Sequence, residues 1–145
     1  MKINPEEYTE ILFRYKSEIL EKEVEEILWA EKKDVEKGLY KLHSIPFYGP
    51  KIATGDIFHA TIDINEKCLI YRNTIEESGN SIIQILINET ELSQDEIISN
   101  FEELLCKVEI VDENFFSMQV PSTKNYAVIN KVLEEYVQKQ ILGYA

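Results

Sequence analysis

The sequence predicts an α+β fold: a bent antiparallel N-terminal sheet or partial barrel joined to a ferredoxin-like βαββα layer with two helices. Two observations predict it. Over residues 8–75, short segments of alternating apolar and polar residues are separated by turn residues, a pattern typical of strands. Over residues 76–145, the apolar periodicity changes along the chain in the order strand, helix, strand, strand, helix. That order matches most of a split βαβ unit.

The length of the chain favours a single domain. Its 145 residues can bury one core but are too few for two independent domains, so we expect one domain over 1–145 whose two sheets share a core. No apolar run approaches the roughly 20 residues of a membrane-spanning helix. The first residues also lack the apolar stretch of a signal peptide. The sequence therefore predicts a cytoplasmic protein without a membrane partner.

The first two predicted strands rest on different arguments. Residues 8–16 alternate partially and contain β-branched and aromatic residues, which favours a strand. Residues 18–33 are rich in good helix formers with apolar residues three to four apart, so propensity alone favours a helix there. The alternative is a strand over residues 25–32 that forms a hairpin with the first. We expect this strand, mainly because of the family resemblance described below.

The remaining strands of the first half are indicated by alternation and by turn residues. Residues 39–45 alternate as a half-buried strand does, and Pro46 ends them. Residues 57–63 and 68–73 lie on either side of a tight turn and form a predicted pair. Residues 81–87 are too apolar to have a solvent face, which predicts a central strand.

The second half contains two predicted helices and a hairpin. Ser93 and Glu96 form the S-x-x-E pattern of a capping box, which predicts a helix over about 94–106. Residues 108–111 and 115–120 flank a polar turn and predict a hairpin. Apolar residues then recur on one helical face, which predicts a second helix from Ser122 or Thr123 to near Gly143.

Four short motifs, taken together, resemble a known family. Their order and spacing are similar to the LWA, IPF, GD and SG elements of the small bacterial family catalogued as domain of unknown function 4265. The resemblance covers roughly residues 10–140 and implies a bacterial intracellular domain with a shared fold, but it implies no activity, substrate or catalytic residue. The motifs are Leu28-Trp29-Ala30-Glu31, Leu39-Tyr40-Lys41-Leu42 leading into Ile45-Pro46-Phe47, Gly55-Asp56-Ile57 and Ser78-Gly79-Asn80-Ser81.

The formal net charge of −12 bears on partners more than on fold. A protein that binds nucleic acid must neutralise phosphates with lysine and arginine, so this charge argues against a nucleic-acid partner. Between Glu76 and Phe115 the sequence has eleven acidic residues and one base, Lys107. This stretch is either a solvated surface or a docking face for a basic protein partner. The candidate partner-binding residues are Glu76, Glu77, Asp95, Glu102, Glu103, Asp112 and Glu113.

Residue types that carry catalysis form no recognisable pattern. His43 and His59 lie on separate predicted strands without a carboxylate or thiol at a ligand spacing, and we expect both to be surface or partly buried residues. Cys68 and Cys106 lie in apolar segments and are expected to be buried thiols. The sequence contains no HExxH, CxxC, GxSxG, Walker or GxGxxG motif. We therefore predict no catalytic residue, metal or cofactor, and a protein that is not an enzyme.

Two loops could form a binding pocket. Residues 45–50 put two aromatics beside two prolines, which predicts either a rigid corner with Phe47 plugging the open end of the sheet or a recognition loop. Gly55 and Asp56 are expected to shape a turn, with a polar group at a pocket mouth as the alternative. The candidate pocket residues are Trp29, Phe47, Asp56, Arg72, Ser78 and Asn80.

Three functions are compatible with these features. The first is an interaction domain whose acidic face binds a basic protein, such as an immunity protein that neutralises a cationic toxin. The second is a small-ligand-binding module that uses the loops at 45–56 and 78–81. The third is a subunit that forms a homodimer through an exposed sheet edge or through a helix over residues 126–141.

Overall fold

The N-terminal half forms a closed barrel. The computed structural model describes residues 4–17, 20–48, 51–123 and 126–145, and within them five strands pair in chain order. The partial barrel of the prediction is closed, because β1 pairs in parallel with β5 at Leu12 and Ile70. The strands are β1 (Tyr8–Ser17), β2 (Lys22–Asp34), β3 (Leu39–Leu42), β4 (Ile57–Asp63) and β5 (Cys68–Glu76).

The pairing of β2 distinguishes between the two interpretations of residues 18–33, a helix or a strand. β2 pairs with β1 continuously from Glu31 opposite Tyr8 to Lys22 opposite Ser17, so the helix interpretation is wrong over residues 22–33. Residues 18 and 19 lie outside the described residues. The reason is tertiary: Leu28 is buried in the barrel on one face of β2, and this burial outweighs a helix propensity of a few tenths of a kcal/mol per residue.

The C-terminal half forms an antiparallel sheet with two helices. Within the described residues the sheet has four strands in the order β7-β8-β6-β9, which is the topology of the split βαβ unit. The predicted central position of β6 is confirmed, since it pairs with β8 and β9. The elements are β6 (Ser81–Ile87), α1 (Gln94–Glu103), β7 (Lys107–Asp112), β8 (Phe115–Val120), α2 (Tyr126–Gln138) and β9 (Leu142–Tyr144).

Both helices end earlier than predicted. The side chain of Ser93 caps α1 by accepting from the Glu96 N–H, as expected, but α1 ends at Glu103. The prediction that the second helix reaches Gly143 is wrong, because α2 ends at Gln138 and the chain continues into β9. Gln140 has a φ of 60° and turns the chain back. The turn allows Leu142 to be buried in the sheet, where a continued helix would carry it away from the core.

The buried apolar side chains do not form the single core that was expected. In the described part of the chain they form two clusters, because each sheet buries one face within its own half. The barrel cluster contains Ile11, Phe13, Leu28, Ala30, Tyr40, Leu42, Ile52, Phe58 and Ala60. The sheet–helix cluster contains Ile83, Ile85, Ile97, Ile98, Phe101, Cys106, Phe116, Met118, Val120, Ile129, Leu133 and Leu142.

The barrel contacts the helix-free face of the second sheet through residues 45–48. The Ser117 hydroxyl of β8 donates a hydrogen bond to the Pro46 carbonyl oxygen at 2.5 Å. The Tyr48 ring contacts the Phe115 ring edge-on, with 5.9 Å between centroids. Gln84 and Gln119 are buried on the same face of the sheet. The joint between the two halves is therefore partly polar, unlike the two cores.

Candidate functional site

A cleft of about 690 Å³ opens between the barrel and the second sheet. Its volume lies within the roughly 300–1,000 Å³ that is usual for ligand sites. One wall is the outer surface of the barrel over β2 and β3, and the other is the β7 side of the second sheet. The lining residues are Ile27, Leu28, Trp29, Glu31, Lys41, Leu42, His43, Ser44, Ile45, Phe47, Thr54, Gly55, Asn80, Lys107, Val108, Glu109 and Gln119.

Strand alternation explains the composition of the barrel wall. Leu28 and Leu42 are buried in the barrel, so neighbouring residues on β2 and β3 must point outward. Those outward positions are occupied by Ile27 and Trp29 on β2 and by His43 just after β3. Ile27 is 63% exposed. An apolar strip and an aromatic ring therefore face solvent in the cleft.

The opposite wall carries charge. Lys107 and Glu109 extend from β7 on the side of the sheet that faces the barrel. Lys107 is the only base between Glu76 and Phe115 in the sequence, and it lines the cleft together with Lys41. The acids of the cleft are Glu31 and Glu109, and Glu31 is paired with Lys33 at 3.5 Å. The cleft is therefore nearly neutral in a strongly acidic protein.

The backbone around Trp29 is fixed by hydrogen bonds with the segment that follows β3. The Trp29 N–H donates to the Ser44 hydroxyl at 2.9 Å. The Trp29 carbonyl accepts from the N–H groups of His43 and Ser44 at 2.9 and 3.2 Å. The Thr54 hydroxyl donates to the Ser44 carbonyl at 2.8 Å. These bonds hold the N–H and the carbonyl group of Trp29 and so fix the backbone that carries the indole.

The GD and SG motifs meet beside the cleft, which Gly55 and Asn80 line. Asp56 is buried, and its carboxylate accepts hydrogen bonds from the Ala53 N–H at 2.9 Å, from the Ser78 N–H at 2.8 Å and from the Ser78 hydroxyl at 2.9 Å. The bonds to Ser78 join the loop before β4 to the segment that connects the barrel with β6. Asp56 therefore ties the two halves of the molecule together.

Asn80 completes this connection. Its side-chain amide donates to the Thr54 carbonyl at 2.8 Å and accepts from the Ser122 N–H at 2.8 Å. Gly55 has a φ of 90°, and a Cβ placed there would lie 3.0 Å from the Ser78 Cβ and 3.2 Å from the Asn80 amide nitrogen. Only glycine fits this close approach without strain. We call the set Gly55, Asp56, Ser78 and Asn80 the clasp.

A buried carboxyl group, which the sequence analysis missed, fixes residues 47 and 48 of the loop that follows β3. Glu26 of β2 accepts hydrogen bonds from the Phe47 N–H at 2.7 Å, from the Tyr48 N–H at 3.3 Å and from the Tyr15 hydroxyl. Burial and the hydrogen bond to Glu26 raise the pKa of the Tyr15 hydroxyl well above its usual range. The available signal was the alternation of β2, which puts Glu26 on the same face as the buried Leu28.

The structure brings together only some of the predicted pocket residues. Trp29, Phe47 and Asn80 line the cleft, whereas Asp56 and Ser78 do not line it and bond to each other in the clasp. Arg72 is exposed on the barrel, where its guanidinium donates to the Thr61 hydroxyl at 2.7 Å, and it does not line the cleft. Phe47 is half-buried and is not part of the barrel cluster, so it does not plug the barrel. Sequence reasoning did not select Lys41, Lys107, Glu109 and Gln119 for the pocket.

The candidate partner-binding acids are all exposed. In the part of the chain that the structure describes, none of the seven forms an ion pair within 4.0 Å. Asp95 lies in the first turn of α1, where a negative charge favours the helix. Glu102 and Glu103 lie at the opposite end, where a negative charge opposes the helix dipole. Asp112 also accepts the N–H of Asn114 in the β7–β8 turn.

The residue types that bind metals are dispersed. Over residues 4–17, 20–48, 51–123 and 126–145, no group of three or more histidine, cysteine or acidic side chains could hold a metal ion. His43 is exposed and His59 is half-buried. Cys106 is buried as expected, but Cys68 is only half-buried. No helix among the described residues is long and apolar enough to cross a membrane.

The fold and the cleft define the class of the protein: a five-stranded barrel joined to a ferredoxin-like sheet, with a ligand-sized cleft at the joint. Within that class, the chain belongs to the family described as Domain of unknown function (DUF4265), whose model matches residues 26–144. The family membership inferred from the four motifs is thus confirmed.

One solved structure shares both halves of the fold. It is described as "Novel crystal structure of a hypothetical protein from Neisseria gonorrhoeae". The two chains are 25% identical and superpose with a TM-score of 0.79, and the match covers 94% of this chain and 92% of that chain. A comparison with curated proteins finds no match.

Proposed function

We propose that this chain is a binding protein that takes a partly apolar ligand into the cleft between its barrel and its second sheet. The observation that carries the proposal is the apolar surface of the exposed Ile27 and the half-buried Trp29, which faces a charged wall across a cleft of about 690 Å³. Ligand sites combine such apolar surface with a few polar groups that orient the ligand.

The walls of the cleft are held in place before any ligand arrives. The hydrogen bonds of Trp29 with His43 and Ser44 fix one wall. The bonds that Glu26 accepts from the N–H groups of Phe47 and Tyr48 fix the floor of the cleft at Phe47. A site whose groups are already ordered loses less conformational entropy on binding. This supports recognition of a ligand by a rigid cleft over closure of a flexible loop.

The near neutrality of the cleft restricts the kinds of ligand that it can bind. Lys41 and Lys107 can donate to acceptors on the ligand, and Glu109 can accept from donors. A ligand with an aromatic or aliphatic group and polar groups of both kinds therefore fits better than a polyanion, which the overall charge of −12 repels.

Trp29 is the only tryptophan of the chain and therefore reports on the cleft directly. We expect aromatic and aliphatic fragments that carry amide, amine or carboxylate groups to change its fluorescence. We further expect Ile27→Asp to weaken their binding at least 10-fold. Ile62→Asp is the matched control, because Ile62 is 71% exposed on β4 and does not line the cleft. Fragments that bind both variants equally well would argue against the cleft as the site.

A second candidate function is supported by the acidic residues around α1. The exposed acids lack ion-pair partners among the described residues, and Glu102 and Glu103 lie where a negative charge costs the helix about 0.3–1 kcal/mol each. A docking face for a basic protein, as in an immunity protein that neutralises a cationic toxin, would give these charges a role.

This second function predicts salt-sensitive binding of a cationic protein. With a cationic ribonuclease as the probe, we expect binding at low salt that weakens steeply as the salt concentration rises. Glu102→Lys combined with Glu103→Lys should reduce the binding several-fold. Glu6→Lys combined with Glu10→Lys changes the net charge equally at two exposed positions, one before β1 and one within it, and should have less effect. Equal losses in the two double variants would indicate attraction by net charge alone, not a docking face.

A further inference from the structure

We propose that the ligand of the cleft is an extended basic polypeptide segment that pairs with the free edge of β7 as an additional strand. This inference rests on the proposed binding function of the cleft and names the class of its ligand.

The edge of β7 is open to such pairing. β7 is the first strand in the order β7-β8-β6-β9, so its second edge has no neighbouring strand in that sheet. Within the described residues, the backbone groups of residues 108–110 form no hydrogen bond with any element other than β8. Alternate N–H and C=O groups of an edge strand point outward and can pair with another chain. The opposite edge strand, β9, has only three residues.

The structure limits the length of the pairing. Lys107 to Ile110 pair regularly with β8, and the register then shifts between Ile110 and Asp112. Beyond this bulge, the side chain of Gln94 donates to the Asp112 carbonyl at 2.7 Å. About four residues, or roughly 13 Å, are therefore available for a regular strand partner.

Both faces of an added strand would find apolar contacts. Lys107 and Glu109 face the barrel, so partner residues on that face would extend towards Trp29 and Ile27 in the cleft. Residues on the other face would cover Ile110, which lies on the helix side of the sheet and is 54% exposed. A segment with apolar residues on both faces would thus bury two exposed surfaces of this chain.

Charge complementarity favours a basic segment as the partner. The residues that lead into β7 include Glu102 and Glu103, and those that follow its regular part include Asp112 and Glu113, all exposed. Lys107 is the only base of this region. A partner with lysine or arginine residues beside its apolar residues would be attracted by these acidic side chains, and an acidic segment would be repelled.

The test uses the full chain and, as the probe, the acetylated, amidated hexapeptide Lys-Lys-Phe-Val-Lys-Lys, whose two adjacent apolar residues lie on opposite faces of an extended strand. We expect the peptide to change Trp29 fluorescence and to shift the amide NMR signals of Lys107 to Ile110. The same peptide with methylated backbone amides keeps its charges and side chains but loses its donors, and should bind at least 10-fold more weakly. Ile110→Ser should weaken binding about 5-fold. Ile75→Ser, at a site on β5 that is 56% exposed, should leave binding unchanged.

The outcomes separate this inference from the function on which it rests. If fragments bind at Trp29 but the methylated and unmethylated peptides bind equally well, the cleft site stands and strand addition is wrong. If the peptide shifts only signals of α1, the partner docks by charge alone, and strand addition is again wrong. If neither fragments nor peptide act on Trp29, both proposals fail.

Discussion

Asp56→Ala is expected to destabilise the protein by about 4 kcal/mol and to uncouple the unfolding of its two halves. The substitution removes the acceptor of three hydrogen bonds and leaves the N–H groups of Ala53 and Ser78 without their partner. A buried donor that loses its acceptor costs about 1–3 kcal/mol. Since the bonds to Ser78 join the barrel to the segment before β6, their loss also weakens the joint between two separate cores.

The two halves carry different spectroscopic reporters. Trp29 lies on the barrel, and both described helices lie in the second half. Thermal unfolding followed by tryptophan fluorescence and by circular dichroism at the helix band should coincide in the parent protein. In Asp56→Ala the two transitions should separate, with midpoints lowered by roughly 10 °C. Transitions that stay coincident and shift by less than a few degrees would show that Asp56 does not couple the halves.

Two further variants test the clasp independently of the carboxylate. Gly55→Ala should also destabilise, by about 2 kcal/mol, because the new Cβ meets Ser78 and Asn80 at a backbone conformation that L residues rarely adopt. Gly143→Ala is the matched control: a Cβ there meets nothing within 4 Å, and the φ of Gly143 is not positive. It should change the free energy of unfolding by less than 1 kcal/mol.

Glu26→Ala is expected to destabilise the protein by about 3 kcal/mol and to loosen the floor of the cleft. The buried carboxyl group accepts from the N–H groups of Phe47 and Tyr48 and from the Tyr15 hydroxyl. Without it, these three donors lose their acceptor inside the protein. Because the loop also contacts Ser117 through the Pro46 carbonyl, its loosening should reach the second sheet and weaken ligand binding in the cleft.

Denaturant unfolding and an alkaline titration measure this effect. Glu25→Ala is the matched control, because Glu25 is exposed, pairs with Arg14 at 2.9 Å and should contribute less than 1 kcal/mol. In the parent protein the pKa of Tyr15 is raised by folding, so its protonated hydroxyl stabilises the folded state. This contribution to the free energy of unfolding is complete below pH 10 and is lost as the pH rises further. Glu26→Ala should therefore lose less stability on alkaline titration. A Glu26→Ala variant as stable as Glu25→Ala would contradict this role of Glu26.

Local patterns predicted most of the secondary structure for identifiable reasons. The capping serine Ser93 marked the start of α1, because its side chain satisfies a free N–H of the first turn wherever a helix follows. The strands at residues 57–63 and 81–87 were found because alternation and apolar runs record burial on one or both faces of a sheet. The family that the LWA, IPF, GD and SG motifs suggested is the one whose model matches residues 26–144.

The candidate site was only partly visible in the sequence. Trp29 and Asn80 were selected because they lie near predicted turns and strand ends, and Phe47 because it lies in a loop with two prolines. The structure places all three on one cleft. Arg72 met the same criterion but lies elsewhere on the barrel, because the criterion contains no information on which strand ends are adjacent. The sequence analysis noted Lys107 only as the one basic residue between Glu76 and Phe115. No local sequence pattern indicated that β7 faces the barrel.

The sequence by itself determined the fold class, the family and the concentration of acids between Glu76 and Phe115, because these follow from composition and short-range pattern. The tertiary structure alone decided that β2 extends over residues 22–34, that a strand, β9, follows α2, and that the barrel closes through Leu12 and Ile70. The cleft and the hydrogen-bond partners of the buried Glu26 and Asp56 are likewise visible only in the tertiary structure. These features arise from contacts between residues far apart in the chain, where the burial of a side chain outweighs its local propensity.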